Sequence, residues 1–430
     1  MNTTEFIYQL IQTGHPVSTD TRKDLTNSIF FAIKGENFDG NNYIHQALEK
    51  GAKLVISDSP QISEGNNILK VENTISTLQQ VAALHRKQLK IPIIAINGSN
   101  GKTTTKELVS SVLSTKYKVF STLGNMNNHI GLPLSLLSIT HEHQVGVIEI
   151  GANHIGENEL LTNITSPTHG IITNIGKDHL GEFGGFENVV KAYKEYIDYF
   201  VSNNEFPFIY PASDPHIAGI ITACHAFSFG ESNAMQTGKV LESKPEIVVE
   251  IDDRNFGKSI ISTKMFGSYN LNNILAAKII ADIFEINQDS FRNAIEQYLP
   301  QNMRSQILNW KGNQVFLDTY NANPSSMQLA LNEFNNLKIN NKILIIGDMH
   351  ELGEYSFSEH AQIIETIKGM KLMQVVLVGN EFEKFKNNLN CIHFINVSEL
   401  KTWFDLQTYS DCSFLVKASR SEKLELLFKA

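Results

Sequence analysis

The sequence predicts an α/β protein of three domains: a small amino-terminal α/β domain, a central domain with a parallel sheet, and a carboxyl-terminal doubly wound domain. The first observation is length, because 430 residues exceed what one hydrophobic core usually organises. The second is composition, since 42% hydrophobic and 19% charged residues suit large buried cores. The third is the alternation of short apolar segments with helical segments, which is typical of parallel sheets. We place the domains at 1–90, 91–299 and 300–430.

The first and third blocks show this alternation most clearly. In the first block the strands are "SIFFAI" (28–33), "KLVISD" (53–58) and "NILKVEN" (67–73), and the helices contain "HQALEKG" (45–51) and "ISTLQQVAALHRKQL" (75–89). In the third block the strands are "QVFLDTY" (314–320), "KILIIGD" (342–348), "QVVLVG" (374–379), "CIHFI" (391–395) and "SFLVKAS" (413–419).

The second block opens with the strand "IPIIAI" (91–96), a glycine-containing turn and a helix. Its later strands are "QVGVIEIG" (144–151), "HGIITNIG" (169–176) and "FPFIYPAS" (206–213). The stretch "EIVVEIDDRNFGKSIISTKMFG" (246–267) has a period of two with a polar turn, which predicts an antiparallel appendage. Two helices, 270–283 and 288–299, then lead to Pro300.

Charge and cysteine usage exclude several functional classes. The net charge is -9 and no run of Lys or Arg resembles a nucleic-acid patch, so we expect no nucleic-acid partner. The 3 cysteines form no CxxC pair, which argues against a disulfide framework and a zinc site. Neither a basic segment followed by an apolar core at the amino terminus nor an apolar run of bilayer length is present, so we expect a cytoplasmic protein without membrane insertion.

The stretch "IAINGSNGKTTTKEL" (94–108) indicates a phosphate-binding loop between a strand and a helix. Backbone N–H groups and a helix amino terminus would face the phosphates, while a lysine adds charge and a threonine hydroxyl suits Mg²⁺. The loop residues are Gly98, Ser99, Asn100, Gly101, Lys102, Thr103 and Thr104. Ile96 stands where the full Walker pattern has glycine, so the match is to the shorter GxxGKT form. The plainer alternative is a strand-to-helix turn with a surface lysine.

Two further side chains follow neighbouring predicted strands. Glu149 ends an apolar run, where an ionised carboxylate is costly unless a cation pairs with it. His179 follows the next strand, in "NIGKDHLGEFG". Each alone is more often a hydrogen-bonded core or rim residue, but together at strand carboxyl ends they indicate metal ligands beside the loop.

Several motifs resemble the Mur ligases, ATP-dependent enzymes that join amino acids to the UDP-muramoyl peptide of the bacterial cell wall. These are "GSNGKTT", "GNMNNHIGLPLSLL", "IEIGANHIGE" and "NIGKDHLGEFG". In the third block, "LDTYNANPSSM" and "IIGDMHELGE" resemble the branch that adds D-alanyl-D-alanine to UDP-N-acetylmuramoyl-tripeptide. The first block is similar to the UDP-binding domain of that branch. The resemblance therefore spans nearly the whole chain and implies a central P-loop ATPase domain and a Rossmann-like third domain.

The resemblance implies that the γ-phosphate of ATP is transferred to a peptide carboxylate and that an amine attacks the resulting acyl phosphate. Both steps bring anions together, so the site needs fixed positive charge. Lys102 is then catalytic, and two Mg²⁺ sites are implied, one on Thr103 and Glu149 and the other on Glu149 and His179. The completed product is the cytoplasmic pentapeptide precursor of peptidoglycan, and we expect a monomeric enzyme.

The resemblance also places ATP between the second and third domains, so catalysis would require domain closure. In "GSYNLNNILAA", Asn270 and Asn273 would lie near adenine, although Tyr269 replaces the usual histidine. From the third domain, Arg304 would reach the phosphates, with Asp318 at the ribose and Asn321 in the same nucleotide-binding stretch. The plainer interpretations are a solvated charge for Arg304 and a turn with a helix cap for "YNANPSS".

The other substrates are implied to contact three further segments. The UDP moiety is implied to contact Thr19, Thr21 and Arg22. The path of the muramoyl peptide is implied to pass Asn128, His129 and Asn153. The dipeptide carboxylate is implied to bind Lys417, Ser419 and Arg420. Loop hydrogen bonding alone explains any one of the asparagines equally well. Ala418 replaces the glycine usual in this last motif, which alters the expected backbone geometry.

One departure concerns a lysine that members of the family carry downstream of the metal-binding histidine. CO₂ carbamylates this lysine, and the new carboxylate ligates the second Mg²⁺. Here "VVKAYKEY" places Tyr193 at that position, between Lys191 and Lys194. A neutral phenol is a poor ligand for a hard metal. Either a one-residue shift lets Lys194 serve, which is our hypothesis, or the metal is held without a carbamate.

Two other functions are carried as alternatives. A sibling ligase would add a single amino acid to the muramoyl chain or glutamate to folate, and the branch that adds the third residue has an Asp-Asn-Pro-Arg signature that this sequence lacks. A non-catalytic nucleotide-binding regulator would explain the departure at Tyr193. The motifs are compatible with either diaminopimelate or lysine as the third residue of the tripeptide.

Overall fold

The computed structural model describes residues 2–35, 38–63, 65, 67–221, 224–253 and 257–428. The chain divides into two compact units. The first comprises residues 1–96, 117–152 and 156–170, and the second comprises residues 97–116, 153–155 and 171–430. The predicted α/β class with parallel sheets is confirmed. The boundaries predicted at residues 90 and 299 stay predictions.

The α-helices of the described residues include short single turns and longer amphipathic segments. They are α1 (Thr3–Gln12), α2 (Ile44–Glu49), α3 (Thr74–Gln88), α4 (Lys102–Leu113), α5 (Gly131–Leu137), α6 (Glu157–Thr165), α7 (Leu180–Phe183), α8 (Phe186–Ser202), α9 (Pro215–Ala218), α10 (Asn270–Ile283), α11 (Gln288–Gln297), α12 (Pro324–Asn336), α13 (Ser356–Lys368), α14 (Asn380–Glu383) and α15 (Val397–Phe404). None of them combines the length and apolar character that crossing a bilayer requires.

The strands are mostly short and buried. They are β1 (Val17–Ser18), β2 (Ile29–Phe31), β3 (Leu54–Ser57), β4 (Ile68–Lys70), β5 (Ile93–Asn97), β6 (Val119–Ser121), β7 (Val145–Glu149), β8 (His169–Ile172), β9 (Phe208–Pro211), β10 (Ala226–Gly230), β11 (Gln236–Ser243), β12 (Glu246–Asp253), β13 (Gly257–Phe266), β14 (Gln306–Trp310), β15 (Asn313–Asp318), β16 (Lys342–Gly347), β17 (Gln374–Val378), β18 (Ile392–Phe394) and β19 (Ser413–Lys417).

The first unit contains a four-stranded parallel sheet in the order β1-β2-β3-β4. Successive residues of β2 are buried on opposite faces. Ile29 and Phe31 pack in a cluster with α1 and α3, whereas Phe30 packs in a second cluster with α2. A strand that is covered on both faces needs a continuous apolar run, which is why "SIFFAI" could be recognised in the sequence. The unit also contains the parallel strands β5-β7-β6.

The second unit contains strands in the order β13-β12-β11-β10-β9-β8. Strands β9, β10 and β11 pair in parallel, and β11, β12 and β13 pair antiparallel. The predicted antiparallel appendage is therefore confirmed, although part of its polar turn, residues 254–256, lies outside the described residues. Helix α10 has the predicted bounds, and it packs against α4 and strands β9 to β11.

The second unit also contains a six-stranded sheet in the order β14-β15-β19-β16-β17-β18. Only β14 runs antiparallel to its neighbour. Val315 and Leu317 pack in a core cluster with α15, while the ring of Phe316 contacts Phe334 of α12. Helices therefore cover both faces of this sheet, and the predicted doubly wound arrangement is confirmed.

Some elements were not predicted from the sequence. They include α1, β1, β6, β10, β11 and β14. Each of these strands lies outside the long apolar runs, and β1 has only 2 residues. The predicted helix 288–299 ends two residues early, at Gln297, because Tyr298 adopts an extended backbone with ψ of 124°.

Candidate functional site

Two glycines shape the phosphate-binding loop. Gly98 has a φ of +126° and Gly101 a φ of +83°, a region that other residues rarely adopt. A Cβ atom on Gly98 would lie 2.2 Å from Oγ1 of Thr173, and one on Gly101 would lie 2.7 Å from Oδ1 of Asn273. Backbone conformation and close packing therefore both require glycine here, as the motif in the sequence indicated.

Lys102 begins α4 and turns its side chain back over the loop. Its Nζ donates to the carbonyl oxygens of Gly98 at 2.5 Å and Ser99 at 3.3 Å. Thr103 is buried on the first turn and Thr104 is half-buried. The first N–H groups of a helix have no partner within the helix and favour an anion, so loop and helix together suit a phosphate.

The loop is joined to Asp178, a buried carboxylate of which only 4% is exposed. The Ser99 hydroxyl donates to Oδ1 at 2.6 Å, and the Tyr193 hydroxyl donates to Oδ2 at 2.8 Å. Burial, reinforced by the charge of Asp178, raises the pKa of Tyr193 well above its usual value. The phenol therefore stays protonated and remains a donor. Asp178 was not among the predicted site residues, although it directly precedes His179.

His179 lies in a left-handed conformation with a φ of +47°. Its Nδ1 is 3.1 Å from Oε2 of Glu351, an ion-pair distance, but at an angle that makes no hydrogen bond. Glu182 is also near, with Oε2 at 4.0 Å from Nδ1. Ligand atoms of these three residues lie within 4.8 Å of one another, so they could hold a cation together. Sequence reasoning found His179 alone, because Glu351 follows a distant strand.

The "YNANPSS" stretch caps a helix and also contacts the phosphate-binding loop. Asn323 accepts from the N–H of Ser326, as the plainer interpretation expected, and its Nδ2 donates to Oδ1 of Asn100 at 2.9 Å. The N–H of Lys177 donates to Oγ of Ser325 at 2.9 Å. The motif therefore bonds the loop through Asn323 and the segment before Asp178 through Ser325, whereas Asn321 is exposed.

Arg304 stacks on Tyr320, with Cζ 3.7 Å from the centroid of the ring. Its Nε is buried and has no hydrogen-bond partner. Stacking fixes the plane of a guanidinium group and leaves its edge available, which is how arginine commonly binds phosphate. Arg304 is partly exposed, and contact with the ATP phosphates stays a prediction.

Asn270 and Asn273 are buried, and their side chains bond to other groups of the protein. Asn273 accepts from the Thr105 hydroxyl at 3.1 Å and donates to Oδ1 of Asn270 at 2.8 Å, and Asn270 donates to the carbonyl of Phe266 at 2.8 Å. These bonds join α10 to α4, the helix that follows the loop. Contact with adenine stays a prediction.

Lys417 and Asp318 were predicted to bind different ligands, yet they form one ion pair at 2.5 Å. Nζ of Lys417 also donates to the carbonyl of Asn321 at 3.2 Å, and its side chain is 2% exposed. Ser419 is buried and accepts from the N–H of His350 at 2.9 Å. Arg420 is half exposed and pairs with Glu425 at 3.0 Å.

In the first unit, Glu149 is 2% exposed and its Oε1 accepts from Nδ2 of Asn127 at 2.7 Å. The residues predicted from this stretch, Asn128 and His129, did not include Asn127. Oδ1 of Asn128 instead accepts from the N–H of Gly131, the first residue of α5, at 2.9 Å. The Glu157 carboxylate, 3.6 Å from His129, raises the pKa of that histidine.

The remaining predicted substrate residues are partly exposed. The Arg22 guanidinium donates two hydrogen bonds to the Asp20 carboxylate, at 2.8 and 2.9 Å, and the backbone N–H of Arg22 donates a third; together they lower the pKa of Asp20 to about 2. The Arg22 side chain is nevertheless 87% exposed. Thr19 and Thr21 are half-buried beside it. In the second unit, Oδ1 of Asn153 lies 2.9 Å from Nδ1 of His154.

Lys194 lies on the outer side of α8, where its side chain is 51% exposed and pairs with Asp198. Neighbouring residues of a helix point about 100° apart, so Tyr193 faces inward while Lys194 faces outward. The structure does not bring Lys194 to Asp178 or His179. This placement counts against the hypothesis that Lys194 replaces the modified lysine.

Comparison with known proteins covers nearly the whole chain. Three family models match: "Mur ligase family, catalytic domain" at residues 14–95, "Mur ligase middle domain" at 96–281 and "Mur ligase, glutamate ligase domain" at 303–408. The chain is 31% identical to "UDP-N-acetylmuramoyl-tripeptide--D-alanyl-D-alanine ligase" of Bacillus subtilis, over 96% of this chain and 92% of that protein. It is also 31% identical to the ligase of the same name from Rickettsia prowazekii, over 95% of this chain and 92% of that protein.

Solved structures agree with these matches. A crystal structure of MurF from Acinetobacter baumannii is similar with a TM-score of 0.88 and 29% identity, and the match covers 99% of this chain and 97% of that one. MurF ligase from Thermotoga maritima in complex with ADP has a TM-score of 0.87 at 24% identity, covering 97% and 96% of the two chains, which supports the fold.

Proposed function

The chain belongs to the Mur ligase family, and from this premise we propose that it adds D-alanyl-D-alanine to UDP-N-acetylmuramoyl-tripeptide while converting ATP to ADP and phosphate. The observation that carries the proposal is the match to ligases of that name along 96% of the chain, with the glycine-shaped loop at Gly98 and Gly101 intact. The product would be the pentapeptide precursor of peptidoglycan.

The residues of the second unit fit the phosphates of ATP. The positive φ values and close packing of Gly98 and Gly101 fix the loop backbone at the start of α4, where the first N–H groups of the helix favour an anion. Arg304 adds a guanidinium edge whose Nε has no protein partner. Lys102 now donates to loop carbonyls, and it would exchange them for phosphate oxygens when ATP binds.

Thr103, Glu149 and His179 are the residues that would hold Mg²⁺. The donor chemistry fits, because a hydroxyl and a buried carboxylate are ligands that Mg²⁺ prefers, and His179 lies beside the carboxylate of Glu351. When bound, Mg²⁺ supplies positive charge to the transferring phosphoryl group. Asn127 holds Glu149 in place by its hydrogen bond to Oε1. Two sites remain our proposal.

The reaction has two steps. A carboxylate oxygen of the tripeptide forms a bond to the γ-phosphorus, the bond from that phosphorus to the bridging oxygen breaks, and ADP leaves. The amine of the dipeptide then attacks the acyl carbon, the amine proton is lost, and phosphate leaves. Lys102 and Arg304 would stabilise the anionic oxygens in the first step, where removing one such donor typically costs about 3 kcal/mol.

The incoming dipeptide carries a carboxylate, for which Arg420 is the better candidate of the two predicted cations. Half of its side chain is exposed, whereas Lys417 is buried and bonded to Asp318 and Asn321. In the first unit, the exposed Arg22 is the candidate for the diphosphate of UDP. We place the reaction in the cytoplasm, where ATP is available, and propose a monomer.

The decisive experiment measures phosphate release from ATP with Mg²⁺ and UDP-N-acetylmuramoyl-tripeptide. D-Alanyl-D-alanine is compared with D-alanine, L-lysine and diaminopimelate as acceptors, and both forms of the tripeptide are tried. We expect release only with the dipeptide, and at least a roughly 100-fold loss in Lys102→Ala. Release with a single amino acid would identify a sibling ligase. Nucleotide binding without any release would identify a regulator.

A further inference from the structure

Tyr193 and Asp178 form a buried pair that the proposed chemistry leaves without a role. Tyr193 is 2% exposed and lies on the inner face of α8. Each oxygen of the Asp178 carboxylate accepts one hydrogen bond, Oδ1 from the Ser99 hydroxyl and Oδ2 from the Tyr193 hydroxyl. A buried carboxylate depends on its hydrogen-bond donors, because it has lost its hydration. Removal of either hydroxyl should therefore disturb the other bond.

The bond between Asp178 and Ser99 links this pair to the phosphate-binding loop. Oγ of Ser99 also accepts from the N–H of Gly176 at 2.8 Å, and the N–H of Ser99 donates to the carbonyl of Asn174 at 3.0 Å. The carbonyl of the same serine is one of the two that Lys102 contacts. The hydroxyl, the N–H and the carbonyl of Ser99 are therefore all bonded, and Tyr193 orients the Asp178 carboxylate, which is the partner of the hydroxyl.

The neighbouring lysines are engaged elsewhere. Nζ of Lys191 donates to Oδ1 of Asn188 at 3.2 Å, and Lys194 pairs with Asp198, both on the exposed side of α8. A phenol cannot form the carbamate that the resemblance implies for this position. Because its hydroxyl is already bonded to Asp178, Tyr193 also has no free proton donor to offer a ligand.

We propose that Tyr193 is a positioning residue for the phosphate-binding loop, acting through Asp178 and Ser99, and that the ligase activity proposed above needs no carbamylated lysine. Only the second part, that the activity needs no carbamylated lysine, rests on the proposed function. The first part concerns nucleotide binding and is tested without any peptide substrate.

Tyr193→Phe removes the hydroxyl and keeps the ring, and Tyr196→Phe is its matched control. Tyr196 is also buried on α8, but its hydroxyl bonds the backbone of Ile171 instead of the loop anchor. We expect Tyr193→Phe to weaken the binding of ATP and ADP by about tenfold, a size typical of the coupling between two positions that do not touch each other. Tyr196→Phe should bind both nucleotides as the parent chain does. Thermal unfolding of both variants separates nucleotide affinity from stability.

A double-mutant cycle sharpens this test. In Asp178→Asn the carboxylate is gone, so adding Tyr193→Phe should weaken nucleotide binding by less than about threefold further. Equal nucleotide affinities of Tyr193→Phe and Tyr196→Phe, or full additivity with Asp178→Asn, would overturn the positioning role. Both outcomes are readable even if the proposed peptide substrates are wrong.

Carbamylation is tested separately on the unmodified chain. Phosphate release in CO₂-depleted buffer should not rise when bicarbonate is added, and ¹³C NMR after incubation with ¹³C-bicarbonate should show no lysine carbamate. Lys194→Ala should keep the activity of the parent chain. Activation by bicarbonate, or a carbamate signal that Lys194→Ala abolishes, would overturn this part. Absence of release with every acceptor would instead contradict the proposed function, and the NMR result would still stand.

Discussion

The phosphate-binding loop and the carboxyl-terminal loop of the second unit are held in place by different physical means. Residues 98–104 depend on two glycine conformations and on neutral donors, since hydroxyl and backbone groups make most of their bonds. Residues 417–425 depend on ion pairs: Lys417 with Asp318, Arg420 with Glu425, and Glu422 with His350. The first loop should be intolerant of added atoms, and the second should be sensitive to changes of charge.

The difference suits what each loop is proposed to bind. ATP phosphates are met by backbone N–H groups, whose position is set by loop geometry rather than by side-chain charge. A dipeptide carboxylate is met by a side-chain cation, and such a cation is held by neighbouring carboxylates until the ligand arrives.

The largest effect is expected in the phosphate-binding loop. In Gly98→Ala, the new methyl group would lie 2.2 Å from Oγ1 of Thr173, and the backbone would keep a φ of +126°. We expect phosphate release to fall by about 100-fold or more, because a displacement of about 1 Å in a reacting group has this effect. Steady-state kinetics with ATP as the varied substrate measures the loss.

Gly312→Ala is the matched control for strain alone. Gly312 also has a positive φ, +80°, but nothing lies within 4 Å of the position that an added methyl group would take. This variant should lose about 1 kcal/mol of unfolding free energy from the backbone conformation and keep its activity. If Gly98→Ala behaved in the same way, close packing against Thr173 would have no role in the loop.

A smaller effect, on stability, is expected in the carboxyl-terminal loop. Lys417→Met removes the cation from a pair in which Lys417 is 2% and Asp318 18% exposed. Leaving a buried carboxylate unpaired typically costs about 3 kcal/mol, which urea unfolding would detect. Lys401→Met is the control, because the pair of Lys401 with Asp405 is exposed and such pairs contribute about 0.5 kcal/mol. Similar losses in the two variants would show that Lys417 is not a structural cation.

Local features of this fold could be predicted from the sequence, whereas side-chain partners from distant segments could not. Helix α10 has its predicted bounds, and the loop glycines have the geometry that their motif requires. Both depend on residues close together in the chain. The pairing of Lys417 with Asp318 joins two strands 99 positions apart, and the motifs had assigned these residues to different ligands.

Lys194 shows why a motif offset misleads on a helix. A shift of one residue along the sequence is a small change in an alignment, but it rotates the side chain by about 100°. On α8 this rotation separates the buried Tyr193 from the exposed Lys194. In the loop before α5, Asn127 and Asn128 also have different partners: Asn127 donates to Glu149, whereas Asn128 accepts from the N–H of Gly131. Motifs locate a segment well, and the choice between neighbouring residues needs the structure.

The smallest effect concerns pH and the carboxyl-terminal loop. The hydrogen bond from His350 to Glu422, at 2.7 Å, raises the pKa of the histidine, and the charges of Asp348 and Glu351 act in the same direction. A pKa that is higher in the folded state than the unfolded value near about 6.5 stabilises the protein below that value. The stabilisation is lost as the pH rises through the folded pKa.

His350→Gln should therefore lower the Tm at about pH 6 and leave it unchanged at about pH 9, where neither state binds the proton. The shift should be small, because His350 is nearly half exposed and solvent screens its charge. Glu422→Gln should reproduce the pH dependence of His350→Gln, since the same pair is broken from its other side. If His350→Gln instead changed the Tm by the same amount at both pH values, packing would be what holds this loop. The contrast between the two loops would then lie in glycine geometry alone.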